Sequence, residues 1–234
     1  MSITENLARV QERIEAAARR AGRSSQDITL MAVTKTFPPE AICEAYAAGI
    51  RVFGENRVQE FAGKAAGVRD LSETEWHMIG HLQTNKAMKA VELFGAIDSV
   101  DSVRLAEKLN GAAAEHGKKL PVLIELKVGG EEAKSGVAPG SDEFNALLEA
   151  APRLEYLQFR GLMTIPPYTE DPQGARPFFQ KLRRLRDEIV AGQLPSVAMQ
   201  VLSMGMSHDF EVAIEEGSTC VRVGTAIFGV RPPK

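Results

Sequence analysis

Cysteine is scarce: the 234 residues contain only Cys43 and Cys220, with no C-x-x-C spacing. That excludes a secreted disulfide framework, and such sparse usage predicts a reducing, cytoplasmic compartment. An excess of charge of one sign is also missing. Twenty-eight Lys and Arg against 31 Asp and Glu leave a formal net charge of −3, which argues against a general basic footprint for nucleic acid. No run approaches the roughly 20 apolar residues of a membrane span, and the N-terminus lacks the charged-then-apolar order of a signal peptide. No association with a membrane is therefore expected. Internal repeats and low-complexity segments are absent, as are a G-x-S-x-G elbow, a G-x-x-x-x-G-K-[ST] loop and a G-x-G-x-x-G turn opening a helix.

What is present is the composition of a folded soluble chain, 44% hydrophobic and 25% charged. A chain this long can bury roughly three quarters of its unfolded surface, so neither a metal nor a disulfide is needed to hold it. Met1 to Gly22 reads as a helix, with Ser2 and Glu5 as a capping box, Leu7, Val10, Ile14, Ala17, Ala18 and Ala21 at helical spacing, and Gly22 as its stop. Ile28 to Val33 then reads as a buried strand. Further strands are expected at Arg51 to Phe53, Trp76 to Ile79, Ala96 to Val100, Pro121 to Val128, Gly161 to Ile165, Met199 to Ser203 and Cys220 to Val223. Helices are expected at Pro39 to Ala48, Asn85 to Phe94, Ser102 to His116, Asp142 to Ala151, Pro177 to Ala191 and Phe210 to Glu216. Strict alternation implies parallel strands with crossover helices. Eight units of about 29 residues use up the chain, which predicts an α/β fold, a single (β/α)8 TIM barrel domain over residues 1–234 with an extra N-terminal helix. An open doubly wound sheet is the alternative.

Several strand ends carry chemistry. Lys35 follows the first strand and precedes Pro38 and Pro39, so its ammonium is expected at the barrel mouth. It reads either as a snorkelling surface lysine or as an amine nucleophile able to form a Schiff base with an aldehyde. Around Leu202 to Phe210, Gly205 permits close backbone approach, while Ser203 and Ser207 offer hydroxyls ahead of a helix. Gly224 and Thr225 repeat that arrangement after the last strand. Loops after strands seven and eight often build one phosphate site between them in barrels; plain helix capping by Ser207 or Asp209 is the competing reading. Arg222, inside the last strand, needs either a structural partner or a ligand acceptor. Asn56 and His77 are expected at the same mouth. His77 and His81 lie four apart, but the intervening Gly80 reads as a turn, so no metal site is expected. Thr164 to Arg176 is rich in turn formers and reads as a loop over the mouth, a candidate lid. The basic stretch Lys181 to Arg186 has leucines three apart and reads as a solvated amphipathic face.

The stretches A-V-T-K-T at Ala32 to Thr36, F-G-E-N at Phe53 to Asn56 and W-H-M-I-G-H-L-Q-T-N-K at Trp76 to Lys86 belong together. With them go K-S-G at Lys134 to Gly136, R-G-L-M at Arg160 to Met163, L-S-M-G-M-S at Leu202 to Ser207 and V-R-V-G-T-A-I-F-G at Val221 to Gly229. Over essentially the whole chain they resemble the YggS/PROSC family of pyridoxal-phosphate homeostasis proteins, whose barrel is similar to the N-terminal domain of alanine racemase. The resemblance implies that Lys35 carries pyridoxal 5′-phosphate as a Schiff base, with Ser203, Gly205, Gly224 and Thr225 around the phosphate and Arg222 near the pyridine nitrogen. It also implies Asn56, His77 and Met163 around the ring. Lys127 and His208 depart from the family pattern, where an asparagine and an aspartate are expected.

Arginine has donors and no acceptor, so Arg222 beside the pyridine nitrogen favours its unprotonated form and weakens the ring as an electron sink. A similar racemase supplies a tyrosine base from an additional domain, whereas this chain ends at Lys234, directly after the barrel. Of Tyr46, Tyr156 and Tyr168, only Tyr168 in the lid-like loop approaches the mouth. The expectation is therefore a cytoplasmic, monomeric binder serving vitamin B6 and amino-acid homeostasis, with pyridoxal-phosphate-dependent apo-enzymes as partners and no catalytic residues of its own. The alternatives are a small amino-acid racemase or lyase using Lys35 as base, and a Schiff-base aldolase acting on a phosphosugar.

Overall fold

The computed structural model describes residues 2–129 and 135–230. Eight parallel strands close into a barrel in simple sequence order: β1 (Thr29–Val33), β2 (Val52–Glu55), β3 (Glu75–Met78), β4 (Ala96–Val100), β5 (Leu120–Leu126), β6 (Leu157–Thr164), β7 (Val197–Met206) and β8 (Cys220–Val223). The expected (β/α)8 barrel is thus the architecture found, and the open sheet is ruled out by the pairing of β1 with β8. In that closing pair Thr29, Met31 and Ala32 lie beside Cys220, Arg222 and Val223.

Around the barrel run α1 (Ile3–Arg20), α2 (Pro39–Ala47), α3 (Val58–Lys64), α4 (Ala87–Leu93), α5 (Val103–Glu115), α6 (Asp142–Ala150), α7 (Arg176–Ala191), α8 (Phe210–Glu215) and the single turn α9 (Thr225–Phe228). Helix α1 begins with the expected capping box, Ser2 and Glu5 exchanging side-chain bonds with each other's backbone amides. It packs against α8, α9 and α2. The turn after β8 is too short to cover the wall between α8 and α2, and α1 fills that place. Leu7, Val10, Ile14, Ala17 and Ala18 form its buried stripe, and Arg13 and Arg20 fasten its outer face to Glu211 and Glu215. Pro39 opens α2 at a position where a helix has no use for an amide proton.

Helix α3 and the single turn α9 were not expected. The seven-residue α3 buries Val58 and Phe61, and Phe61 packs its ring on Trp76 and Phe94 at 4.5 and 5.0 Å. Its apolar pair three apart, with Glu60 and Lys64 four apart, is the only local trace of it, and about two turns are too short to give a clear period. Strand boundaries shift as well. β7 runs three residues beyond the expected Ser203, because Met206 still pairs with Arg222 across a register shift. β6 starts at Leu157, four residues before the expected Gly161. The basic stretch on α7 is the expected amphipathic face, with Leu182 fully buried.

Alternation along each strand sends one set of residues to the layer under the helices and the other into the barrel. Phe53, Ile97, Ile124, Leu162 and Val221 join the outer core, while Met31, Val33, Ile79 and Cys220 cluster inside. Gly54 makes room there: a Cβ would stand 2.8 Å from the Met31 sulfur and 2.9 Å from Ile79 Cδ1. The interior also holds charge. His77 Nδ1 lies 3.0 Å from Asp98 Oδ1, and Nε2 lies 3.7 Å from Glu75. Burial disfavours charge on this imidazole, but the Asp98 carboxylate and then Glu75 outweigh it and raise the His77 pKa to about 10.

Two predictions follow from this packing. A Cβ on Gly161 would lie 1.9 Å from the Val201 carbonyl oxygen on the neighbouring strand, so Gly161→Ala should destabilise the barrel by at least about 2 kcal/mol in urea unfolding. The His77 pKa is raised above its unfolded value, so its stabilisation is complete below about pH 6.5 and disappears as pH rises through about 10. The stability gap between the wild type and His77→Gln, measured by urea midpoints, should therefore be wide at pH 6 and narrow towards pH 10.

Candidate functional site

The C-terminal ends of the strands surround a cavity of about 420 Å³. Lys35 enters it from β1: side chains alternate, so the lysine two residues beyond Val33 faces inward like Val33 and Met31. Asn56 lines it from the end of β2, Ile79 and Ile165 supply apolar walls, and Arg222, Gly224 and Thr225 come from β8 and the turn after it. Lys35, Asn56, Arg222, Gly224 and Thr225 are thus brought together as expected.

The turn after β7 completes the wall with Met206, Ser207 and His208. Ser207 Oγ accepts the amides of Gly224 and Ala226 at 3.2 and 3.3 Å. Two backbone donors therefore converge on one oxygen at the cavity edge, and the hydroxyl keeps a proton of its own to donate. The two amides fix the hydroxyl in place, and its own proton can be donated to an anionic oxygen in the cavity. Asp209 fixes the turn beneath it by accepting the Met206 amide at 2.7 Å. Burial raises the Asp209 pKa, against the pull of that amide and of Arg222.

Arg222 is 3% exposed. It donates from Nη1 to Ser203 Oγ and from Nη2 to the Thr164 carbonyl, both at 2.8 Å. Burial lowers its pKa, while Cys220, Asp98, Glu125 and Asp209 pull the other way. Two of the five N–H groups of its rigid fork are thereby tied down, and the guanidinium is presented to the cavity in one orientation. Ser203 is fully buried beneath this arginine; Ser207, rather than Ser203, is the hydroxyl at the cavity wall. Gly205 serves the backbone instead of the cavity. Its φ is +94°, and a Cβ would stand 2.6 Å from the Ala213 Cβ and 2.9 Å from Phe210 Cα, so α8 can pack on β7 only because glycine is there.

Met163 is wholly buried and sits level with Glu125 and Ser203. It therefore lies a layer below the mouth, beside Arg222's anchor. His77 is further away still. It lines a separate cavity of about 540 Å³ at the N-terminal ends of the strands, with Asp98, Glu75 and Cys220. The expectation of His77 at the mouth placed it too close to the end of its strand: Ile79, two residues on, is the inward-facing residue at that level. The Cys220 thiol is pushed up to about 12 by burial and then by Asp98; Cys43 and Cys220 are both free.

Asn56 presents an unsatisfied group. Its Oδ1 is buried and has no hydrogen-bond partner among the described residues, an arrangement that costs free energy unless a donor arrives. Gly80 holds this residue in place, since a Cβ there would stand 2.4 Å from the Asn56 carbonyl oxygen. At the rim, Tyr168 is 77% exposed and rests on His208, ring centroids 5.3 Å apart; His208 Nε2 bonds to the Thr169 carbonyl at 3.0 Å. Lys134, part of the K-S-G stretch, lies outside the described residues. Among the described residues no group of three or more His, Cys, Asp or Glu is placed to hold a metal ion, and no helix is long and apolar enough to cross a membrane.

The chemistry of this donor set is an amine, a fixed guanidinium, a lone amide oxygen and a cluster of N–H and O–H donors around one small cavity. It suits a compact ligand with a carbonyl at one end, an anion at the other and a polar ring between.

Residues 6–232 match the family described as alanine racemase, N-terminal domain. The chain is 49% identical over 231 residues to the pyridoxal phosphate homeostasis protein of Aquifex aeolicus, covering 99% of both chains. It is also similar to the structure of PipY of Synechococcus elongatus with PLP bound, with a TM-score of 0.85 and 39% identity over 97% of this chain and 100% of that one. Alanine racemase of Clostridium difficile, 16% identical, shares the fold at a TM-score of 0.74 over 100% of this chain and 58% of its own. With a barrel of that fold and close identity along nearly its whole length, the chain belongs to the family of the pyridoxal phosphate homeostasis proteins, built on the alanine racemase N-terminal domain.

Proposed function

We propose that this chain holds pyridoxal 5′-phosphate as a reversible Schiff base on Lys35 and takes part in intracellular vitamin B6 and amino-acid homeostasis. The observation that carries the reading is the shared cavity: Lys35 stands in the same small space as Arg222, Ser207, Gly224 and Thr225. The relative with PLP bound and the homeostasis proteins of other bacteria support it. When bound, the cofactor supplies an aldehyde that condenses with primary amines and a ring that can accept electrons.

The residues divide the work. Lys35 is the amine nucleophile, within a wall where Val33, Ile79 and Ile165 exclude water from one side. Ser207, Gly224 and Thr225 take the phosphate. Gly205 acts indirectly, by letting the Ser207 turn lie against α8. Asn56 Oδ1 accepts a donor from the ring substituents. Arg222 would meet the ring on its pyridine-nitrogen side, with Ser203 and Met163 behind it as support. Because a guanidinium only donates, that nitrogen stays unprotonated and the ring is a poor electron sink. Glu125, buried below and raised in pKa by that burial, is too deep to line the cavity.

This points to a carrier rather than a racemase. The barrel over residues 1–234 acts as one binding domain, a cytoplasmic monomer that passes its cofactor to pyridoxal-phosphate-dependent apo-enzymes. Free cysteines support the compartment.

One specific observation favours a second reading, a weak racemase or lyase: Tyr168 lines the mouth. A general base must come within hydrogen-bond reach of its proton, and here the ring rests on His208 with most of its surface in water.

Two measurements test these assignments. The protein should show a visible absorption band after pyridoxal phosphate is added, borohydride should bleach it, and peptide mass analysis should find the pyridoxyl group on Lys35; Lys35→Ala should show neither. A colourless protein that takes up no pyridoxal phosphate would overturn the assignment. The loaded protein in deuterium oxide should leave the α-protons of an amino-acid panel unexchanged. Exchange that is rapid and lost in Tyr168→Phe would make it an enzyme.

A further inference from the structure

A cluster of buried charge lies on the other side of the Lys35 turn, outside the cavity. Glu55, the last residue of β2, is fully buried, and Lys64, the last residue of α3, is 8% exposed. Lys64 Nζ lies 2.7 Å from Glu55 Oε1 and 3.2 Å from Glu60 Oε1. The same ammonium donates to the carbonyls of Thr34 at 2.9 Å and Phe37 at 3.3 Å. Thr34 Oγ1 donates to Glu55 Oε1 at 2.5 Å, and the Thr36 amide donates to Glu60 Oε1 at 2.6 Å. Every one of these contacts to the turn falls within two residues of Lys35.

The turn needs holding. Thr36 has a φ of +69°, a conformation that a β-branched residue rarely adopts. Burying an ammonium and a carboxylate gives little stability over an apolar pair of the same size. An apolar pair could fill the seam between α3 and the barrel, but it could not grip two carbonyls and an amide on both sides of one side chain.

We propose that Lys64, with Glu55 and Glu60, is a positioning device for Lys35. α3 clamps Thr34, Thr36 and Phe37 from outside the barrel, and the clamp sets the direction in which the Lys35 amine enters the cavity. The proposal rests on the reading that Lys35 forms the Schiff base, and it makes α3 part of the binding machinery although no residue of α3 lines the cavity.

The test uses the full chain and pyridoxal phosphate. In the double variant Glu55→Gln/Lys64→Met neither buried charge is left alone. It should keep its far-ultraviolet circular dichroism and cooperative melting, and should still be labelled at Lys35 by borohydride. The Schiff base should form about tenfold more slowly, and the visible circular dichroism of the bound chromophore should change. Glu60→Ala, at a partly exposed position, leaves the buried pair intact and should slow formation about threefold. Lys64→Arg, which keeps donors for the carbonyls, should recover part of the rate and of the dichroic band. Wild-type rates and dichroism in Glu60→Ala and in the double variant would overturn the proposal; if the double variant fails to fold, Glu60→Ala decides alone. Absence of a Lys35 label in the wild type would instead overturn the Schiff-base reading itself.

Discussion

The hydrogen bonds between the first and last strands hold this site together. Met31 lies beside Arg222 and Ala32 beside Val223, so extending both strands brings Lys35 to the turn that carries Gly224 and Thr225. An ideal Cβ on Gly224 would lie 3.4 Å from the Val33 carbonyl oxygen, a measure of how closely the two strand ends approach. The Lys35 amine and the Arg222 guanidinium, with the turn of Gly224 and Thr225, come from opposite ends of the chain and become neighbours only when the sheet closes. Helix α1 protects that closure from outside, packing over the seam that the single turn α9 leaves uncovered.

The closed barrel also decides how polar groups can be stored. Its interior takes every second residue of each strand, and here those residues include an arginine, a histidine and several carboxylates. Arg222 and the His77–Asp98 pair are tolerated because each is bonded in place; an unpaired charge at these depths would cost several kcal/mol. They occupy different levels. Arg222 supports the mouth, while His77 and Asp98 lie towards the N-terminal ends of the strands, the end that in barrels bears on stability more than on chemistry. Asn56 lines the cavity, and its buried Oδ1 has no hydrogen-bond partner among the described residues, as expected of a group waiting for a ligand.

Much of this was legible in residue order. The strand and helix alternation, the capping box of α1, the lysine after β1, Ser207 after β7 and the Gly224–Thr225 turn after β8 all appear where they were expected. Each is a local pattern, set by a period or a turn of a few residues. The misplacements share one cause. His77 was expected at the mouth and Ser203 at the phosphate because each is near the C-terminal end of a strand, but the level reached by a side chain depends on strand stagger around the barrel. β7 continues to Met206, so Ser203 is a buried support and Ser207 reaches the cavity. Helix α3 escaped notice because seven residues carry too few apolar positions to show a period, and with it went the Lys64 cluster behind Lys35.

The sequence by itself determined the fold class, the family and the position of a lysine at the barrel mouth, because these depend on short-range spacing and on motifs spread along the whole chain. Only the tertiary structure decided which serine meets the cavity, which end of the barrel His77 serves, and that Lys64 grips the turn carrying Lys35. Those facts depend on register and closure between residues far apart in the chain, and hydrogen bonds across the barrel wall settle them where no local propensity can.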